Sequence, residues 1–187
     1  VNGAVDNGTT IAWMYGIAKG FTSLTERPKR SILFLAPTAE EHGLLGTYYY
    51  CANPVFKMEN TVACFNNDLM IPMGRMKDVM ITGFGYSELD TYVENAAKEQ
   101  DRYICDDTHP ERGMFIRSDH FAFVNKGVPV IYGRGNTDSR QYGKHWADSV
   151  ELKYVNEIYH HPADNYDEKT WNVEGLMEDT KLFFKVA

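Results

Sequence analysis

The amino-acid sequence predicts an α/β fold in which a mainly parallel β-sheet is covered by helices on both faces, in three layers. Short apolar runs with the length of buried strands occur at residues 32–36, 61–65, 78–82 and 127–132. Segments with apolar residues at helical spacing alternate with these runs. This alternation is typical of strands joined by helical crossovers, which place helices on both faces of the sheet.

The length and composition of the chain fit one domain over residues 1–187. With 43% hydrophobic residues, the chain can bury a substantial core. It has no internal repeat, and no apolar stretch approaches the roughly 20 residues that a bilayer span needs. The first residue is Val1 rather than a methionine, so we expect a processed or truncated N-terminus.

The charge and the cysteines exclude two kinds of site. A net charge of −7 argues against a nucleic-acid partner, because phosphate binding needs clustered Lys and Arg, whereas an acidic site suits cations. Cys51, Cys64 and Cys105 show no CxxC spacing, which argues against a cysteine-based zinc site. We expect free thiols, although the spacing leaves a single disulfide open.

A helix is predicted near each end of the chain. The predicted buried positions are Ile11, Met14, Tyr15 and Ala18 in the first helix and Val173, Leu176, Met177 and Phe184 in the last. Asp6 comes directly before the first helix, where an N-cap or an Asx-turn is the usual role of an acidic residue.

An apolar run followed at once by two carboxylates makes residues 32–46 the most informative stretch. Residues 32–36 predict a buried strand that ends before Glu40 and Glu41. Ligand crevices of open α/β sheets lie beyond the carboxyl ends of the strands, so this placement favours a catalytic or ligand-binding role for the two carboxylates. The structural alternative is a capping box, with Thr38 and Glu41 at the start of a helix over residues 43–52.

Further predicted elements follow in the expected order. They are a strand at 61–65 that leads to Asp68, a strand at 78–82, a helix at 87–100, a surface loop at 101–113, a strand at 127–132 and a long loop over a site at 133–144.

Three acidic residues at element edges and a histidine pair point to a metal. Asp6, Glu41 and Asp68 supply carboxylates, and residues 160–161 supply imidazoles before the last helix. Oxygen and imidazole ligands suit zinc, although manganese or cobalt could substitute. Glu40, beside a candidate ligand, could then act as a general base.

Five motifs together resemble the zinc aminopeptidases related to aminopeptidase Y, bacterial leucyl aminopeptidases and glutaminyl cyclases. These motifs are NGAVDN at 2–7, AEEHGLLG at 39–46, ND at 67–68, RSDH at 117–120 and YHHPAD at 159–164. Their order and spacing match the family over essentially the whole chain. The resemblance implies a zinc-exopeptidase-like fold and the C-terminal portion of a larger enzyme that is secreted or periplasmic.

The resemblance also implies a role for each motif residue. Asp6 would bridge two zinc ions, Glu41 and His160 would complete the ligands of one ion, and Asp68 would bind the other. Glu40 would be the general base, Tyr159 would stabilise the oxyanion and Arg117 would line the substrate pocket. Asp119 or Asp164 would orient the ligands. His160 is preferred to His161 because it occupies the family's Tyr-His position.

One departure from the family limits the metal count. The family's second ion needs a histidine upstream of the NGA segment, which this sequence lacks. The chain therefore offers one complete ligand set and an under-coordinated Asp68.

The implied activity is zinc-dependent hydrolysis of the first peptide bond of a substrate with a free N-terminus. One alternative is a single-zinc aminoacyl transferase of the glutaminyl cyclase kind, which uses the same Asp, Glu and His set. Another is a non-catalytic binding domain or incomplete fragment, because the upstream ligand is missing. The sequence does not define the residue preference or the oligomeric state.

Overall fold

A four-stranded mixed sheet forms the centre of the protein in a computed structural model that describes residues 2–187. The strands are β1 (Cys64–Asn66), β2 (Asp78–Ile81), β3 (Tyr103–Asp106) and β4 (Val130–Arg134), in the spatial order β1-β4-β2-β3. β1 pairs with β4 and β2 with β3 in parallel, whereas β2 and β4 are antiparallel. The predicted α/β class with a mainly parallel sheet is confirmed.

Helices cover both faces of this sheet. They are α1 (Thr10–Thr22), α2 (Leu45–Ala52), α3 (Leu89–Glu99), α4 (Met114–Arg117), α5 (His120–Val124), α6 (Lys144–Glu157) and α7 (Glu174–Val186). None of the helices between residues 2 and 187 has the length and apolar character of a membrane span.

The two faces bury separate apolar cores. On one face, Ile81 and Ile131 of the sheet pack in one cluster with residues of α1, α3 and α7, including Trp13 and Phe183. On the other face, Val130 lies in a cluster with residues of α2 and α5. The side chains of adjacent strand residues point to opposite faces of the sheet, so Val130 and Ile131 pack against different helical layers.

The prediction of a strand at 32–36 is wrong. In the described part of the chain, these residues pair with no strand and stand outside the named elements. Leu35 packs in the same core cluster as Cys64 of β1, but Leu33 and Phe34 are exposed. Of these three side chains only Leu35 joins a core cluster, so the run is not a buried strand.

The predicted buried faces of the terminal helices are also partly wrong. Ile11 and Tyr15 are exposed, and α1 instead buries Trp13 and Ile17. In the last helical segment, Val173 and Met177 are exposed. The residues that α7 buries are Gly175, Asp179, Leu182 and Phe183. Asp179 is buried because it forms an ion pair of 2.7 Å with the buried Arg102.

Two elements lie where loops were predicted. β3 occupies part of 101–113, and its residues are half-buried or exposed, which explains their polar composition. The loop predicted at 133–144 begins within β4 and ends in α6. Asp78 accepts hydrogen bonds from the backbone N–H groups of Asn136, Thr137 and Asp138. These bonds hold the loop beside β2 rather than over the cleft described below. All three cysteines are free.

Candidate functional site

Three predicted metal ligands from distant parts of the sequence meet at one point. The imidazole Nε2 of His160 lies 2.7 Å from Glu41 Oε1 and 3.2 Å from Asp6 Oδ2. One ligand atom from each of the three residues lies within 4.8 Å of the others. The structure therefore brings Asp6, Glu41 and His160 together and aims His160, rather than His161, at the two carboxylates.

Asp164 fixes the backbone that carries Asp6. Its carboxylate oxygens accept hydrogen bonds from the backbone N–H groups of Val5 at 2.9 Å and of Asp6 at 3.0 Å. The side chain is buried, and Tyr154 donates a further hydrogen bond of 3.4 Å to it. Asp164 thus positions a predicted ligand, as proposed from the sequence, but through the backbone of Asp6 and not through an imidazole.

His160 is presented by a strained turn. Its φ angle of 61° lies in the left-handed region, which is uncommon for residues other than glycine. The ring stacks on Tyr159 with centroids 3.7 Å apart. Ala39, Leu44 and Leu69, which lie within three residues of the acidic residues of the site, also have positive φ angles. Such strain concentrates at sites where side-chain direction matters for function.

Glu40 and Glu41 lie in a tight turn (Glu40–His42) before α2, not in the first turn of a regular helix. Neither this turn nor α2 has a side-chain cap, so the capping-box alternative is wrong. Gly46 of α2 approaches the backbone of the turn closely, and its N–H donates to the Thr38 carbonyl at 3.0 Å. A Cβ atom at residue 46 would lie 2.3 Å from that carbonyl oxygen.

Asp68 follows β1 and is held by two neutral donors. Asn7 Nδ2 donates to one carboxylate oxygen at 2.8 Å, and Ser118 Oγ donates to the other at 3.1 Å. Ser118 in turn accepts a hydrogen bond of 2.8 Å from Asn66 Nδ2. Neither Asn7 nor Ser118 was predicted as a residue of the site, although both lie in the motifs that carry the family resemblance.

The acidic side chains raise one another's pKa values. Burial, followed by repulsion from Asp68, raises the pKa of Asp6 to about 7. Burial and the neighbouring Asp68 and Asp119 raise the pKa of Glu40 to about 8. Burial also raises the pKa of Asp68. A site with this excess of negative charge is stabilised by a bound cation.

The acidic residues open into a cleft of about 310 Å³. Its lining combines acidic residues, apolar residues and one cation, namely Asp6, Glu40, Glu41, Gly43, Leu44, Tyr48, Asp68, Met114, Ile116, Arg117 and Tyr159. Burial and the nearby Asp6 raise the pKa of Tyr159 far above its usual range, which keeps its hydroxyl protonated. A second cleft, of about 330 Å³ near Met73 and Trp146, contains none of the predicted site residues.

Asp119 contacts none of the predicted ligands in the part of the chain that the structure describes. Its carboxylate accepts a hydrogen bond from Thr47 of α2. The predicted orienting role is therefore not seen for Asp119, because its side chain faces the buried side of α2. Its charge still acts on Glu40.

The donor set at this point fits a zinc ion. Two ligand atoms about 2.0 Å from one ion in tetrahedral geometry are about 3.3 Å apart. The separation of 3.2 Å between His160 Nε2 and Asp6 Oδ2 is close to this value, whereas the 2.7 Å between His160 Nε2 and Glu41 Oε1 is shorter, so these two atoms would move apart to hold an ion. Two carboxylates and one imidazole leave a fourth position for water, as catalytic zinc sites do.

Comparison with known proteins places the chain among peptidases. The model of peptidase family M28 matches residues 1–184. The LapA aminopeptidase of Legionella pneumophila has a TM-score of 0.71 at 18% identity, over 99% of this chain and 45% of its own. BSAP, a zinc aminopeptidase from Bacillus subtilis, has a TM-score of 0.70 at 19% identity, over 98% of this chain and 41% of its own.

A glutaminyl cyclase also shares the fold. The enzyme from Porphyromonas gingivalis has a TM-score of 0.59 at 14% identity, over 99% of this chain and 66% of its own. The chain thus spans less than half the length of the two aminopeptidases.

Proposed function

This chain belongs to peptidase family M28, and on that premise we propose that it carries the zinc site of an aminopeptidase that releases N-terminal residues from peptides. The observation that carries the proposal is the convergence of Asp6, Glu41 and His160 on one point, where Asp6 and Glu41 line the same cleft as Glu40. BSAP, which has the same fold, is described as a zinc aminopeptidase, and this supports the proposal.

The ligand set suits at least one ion. Asp6, Glu41 and His160 would hold the first zinc ion, and Asp6 and Asp68 would contribute to a second ion whose remaining ligand this chain does not supply. Bound zinc would lower the pKa of water from 15.7 toward about 7 and polarise the scissile carbonyl. Asn7 and Ser118 would keep both oxygens of Asp68 in place.

Glu40 is the proposed general base and acid. Its carboxylate lines the cleft but is not one of the three converging ligands, so it is free to handle protons. It would take a proton from the attacking water and return it to the leaving amine. Such a role contributes roughly 10²- to 10⁴-fold to the rate. The Tyr159 hydroxyl would donate a hydrogen bond to the carbonyl oxygen as negative charge develops there.

The charges around the cleft suit a peptide with a free N-terminus. An N-terminal ammonium group is attracted by the cluster of carboxylates, whereas an internal peptide bond offers no such cation. Arg117, the cation in the lining of the cleft, would bind a carbonyl or carboxylate oxygen of the substrate. A secreted or periplasmic location remains a prediction from the family resemblance.

Replacement of Glu40 tests the proposed chemistry. In the full-length, zinc-loaded protein, we expect Glu40→Gln to retain zinc and to lower kcat toward a panel of aminoacyl nitroanilides by roughly 10²- to 10⁴-fold. Exposed Glu59→Gln is the matched control and should leave kcat unchanged. Near-normal turnover by Glu40→Gln with zinc still bound would remove Glu40 from this role.

A glutaminyl cyclase activity is the second candidate. It is favoured by the complete Asp6, Glu41 and His160 set, which suffices for one ion, and by the fold shared with a known cyclase. Assays of aminoacyl nitroanilides beside a peptide with N-terminal glutamine separate the two activities. If the purified protein retains no zinc by elemental analysis and turns over neither substrate, a non-catalytic domain is the better description.

A further inference from the structure

A second cluster of metal-ligating side chains lies outside the candidate active site. His109 comes from the segment between β3 and α4, and Asp148 and Glu151 lie one turn apart on α6. One ligand atom from each of these residues lies within 4.8 Å of the others. None of the three lines the acidic cleft.

The ring of His109 is oriented as a metal-binding imidazole usually is. Its Nε2 lies 3.2 Å from Asp148 Oδ1, close to the separation of about 3.3 Å between two ligands of a tetrahedral zinc ion. Its Nδ1 lies 3.1 Å from Glu111 Oε1. A carboxylate on the second ring nitrogen fixes the tautomer of a ligand histidine and leaves the first nitrogen free to bind the ion.

Glu151 is a largely buried carboxylate with one oxygen already oriented. Arg112 donates a hydrogen bond of 2.9 Å to Oε1, and the residues that the structure describes give Oε2 no hydrogen-bond donor. Since a carboxylate can bind an ion through one oxygen while the other accepts a hydrogen bond, the contact with Arg112 is compatible with ligation.

The local charge also favours a cation. Asp107 accepts a hydrogen bond from the backbone N–H of His109 and adds a fourth carboxylate to those of Glu111, Asp148 and Glu151. Arg112 neutralises only one of these four charges. Burial lowers the pKa of His109, but the hydrogen bonds to Asp148 and Glu111 outweigh it and raise the pKa above its usual value, as expected beside excess negative charge.

We propose that His109, Asp148 and Glu151 form a second site for a divalent metal ion, with zinc preferred because of the imidazole and carboxylate donors. Asp148 is half-exposed, so water can complete the coordination. The ion would fasten the segment around residues 107–112 to α6. That segment continues into α4, whose Met114, Ile116 and Arg117 line the acidic cleft, so the ion would stabilise the wall of the cleft.

Metal stoichiometry tests the second site independently of the first. Wild-type protein and variants are equilibrated with buffered micromolar zinc, and bound zinc is measured by elemental analysis. We expect His109→Ala and Asp148→Asn each to bind one zinc ion fewer per chain than the wild type. The control is His145→Ala, which removes an exposed histidine of α6 and should bind as much zinc as the wild type.

Loss at the two sites can be told apart. His160→Ala should remove zinc from the candidate active site whether or not the second site binds zinc. His109→Ala should remove zinc from the second site whether or not the candidate active site binds zinc. An anomalous difference peak about 2.0 to 2.1 Å from His109 Nε2 would locate the second ion. Unchanged zinc content in folded His109→Ala and Asp148→Asn would overturn the proposal and leave these residues as an ion-pair network.

Discussion

His120 lies beneath the candidate site with its ring completely buried. The ring packs 5.0 Å from Phe115 and 5.1 Å from Tyr132, measured between centroids. Its Nδ1 lies 3.2 Å from Asn66 Nδ2, and Asn66 also bonds to Ser118, which holds Asp68. Burial lowers the pKa of His120 to about 4, because a charged imidazole would lose its hydration there.

This lowered pKa makes stability depend on pH. Since the folded protein binds a proton at His120 less readily than the unfolded chain, the stabilisation is complete above pH 6.5 and declines as the pH falls from 6.5 toward 4. Between pH 7 and pH 5, the wild type should lose about 2 kcal/mol of unfolding free energy that His120→Gln does not lose.

Urea denaturation at the two pH values measures this difference. Replacement of the exposed His145 by Gln is the control and should lose as much stability as the wild type over the same range. Equal pH dependence in wild type and His120→Gln would show that His120 titrates normally.

The sequence singled out the candidate ligands but not the residues that hydrogen-bond to them. Asp6, Glu41 and Asp68 were recognisable because the five motifs, taken together in order, are specific. Asn7 and Ser118 were not, since their roles depend on contacts with Asp68 across 61 and 50 residues of sequence. A small neutral side chain carries no sign of such a contact.

At the scale of elements, the turn before α2 depends on a close approach of two backbones. Gly46 of α2 packs against Thr38, and a Cβ atom there would lie 2.3 Å from the carbonyl oxygen of Thr38. Any larger residue must therefore move α2 away from the turn that carries Glu40 and Glu41. This geometry explains why a glycine ends the GLLG sequence at 43–46.

Replacement of Gly46 should affect both stability and metal binding. We expect Gly46→Ala to lower the free energy of unfolding by about 1 to 3 kcal/mol, the usual cost of overpacking, and to weaken zinc binding at the candidate site. Leu45→Ala is the control, because Leu45 is 58% exposed and its loss should change stability by less than about 0.5 kcal/mol. Denaturation and zinc titration of both variants provide the measurement. Equal results for the two variants would contradict the role given to Gly46.

Elements were predictable where burial and periodicity agree. β2 and β4 are buried along their whole length, and their apolar runs were recognised. α6 was missed because one of its three buried residues, Glu151, is charged, which masks the apolar face. β3 was missed because an edge strand of half-exposed residues has the composition of a loop.

At the scale of the whole molecule, the sheet has an open edge at β1. β1 pairs with β4 on one side only. Leu35 of the run at 32–36 packs against the same core cluster as Cys64 of β1, yet the run forms no ladder with any strand in the range that the structure covers. The run was predicted as a strand from its composition, but strand formation needs a neighbour, which composition does not reveal.

Exposed apolar groups of the unpaired run at 32–36 should cause the 187-residue chain to associate with itself. Leu33 is 47% exposed and Phe34 is 37% exposed on a segment with unpaired backbone groups, and unpaired edges with apolar side chains are templates for pairing between chains. We expect Phe34→Lys to weaken self-association at least about tenfold, which corresponds to about 1.4 kcal/mol, because pairing would bury the new charge. Tyr15→Lys, which changes a 69% exposed aromatic residue of α1, should leave association unchanged. Sedimentation velocity over a range of protein concentrations measures the effect, and a monomeric wild type at every concentration would contradict it.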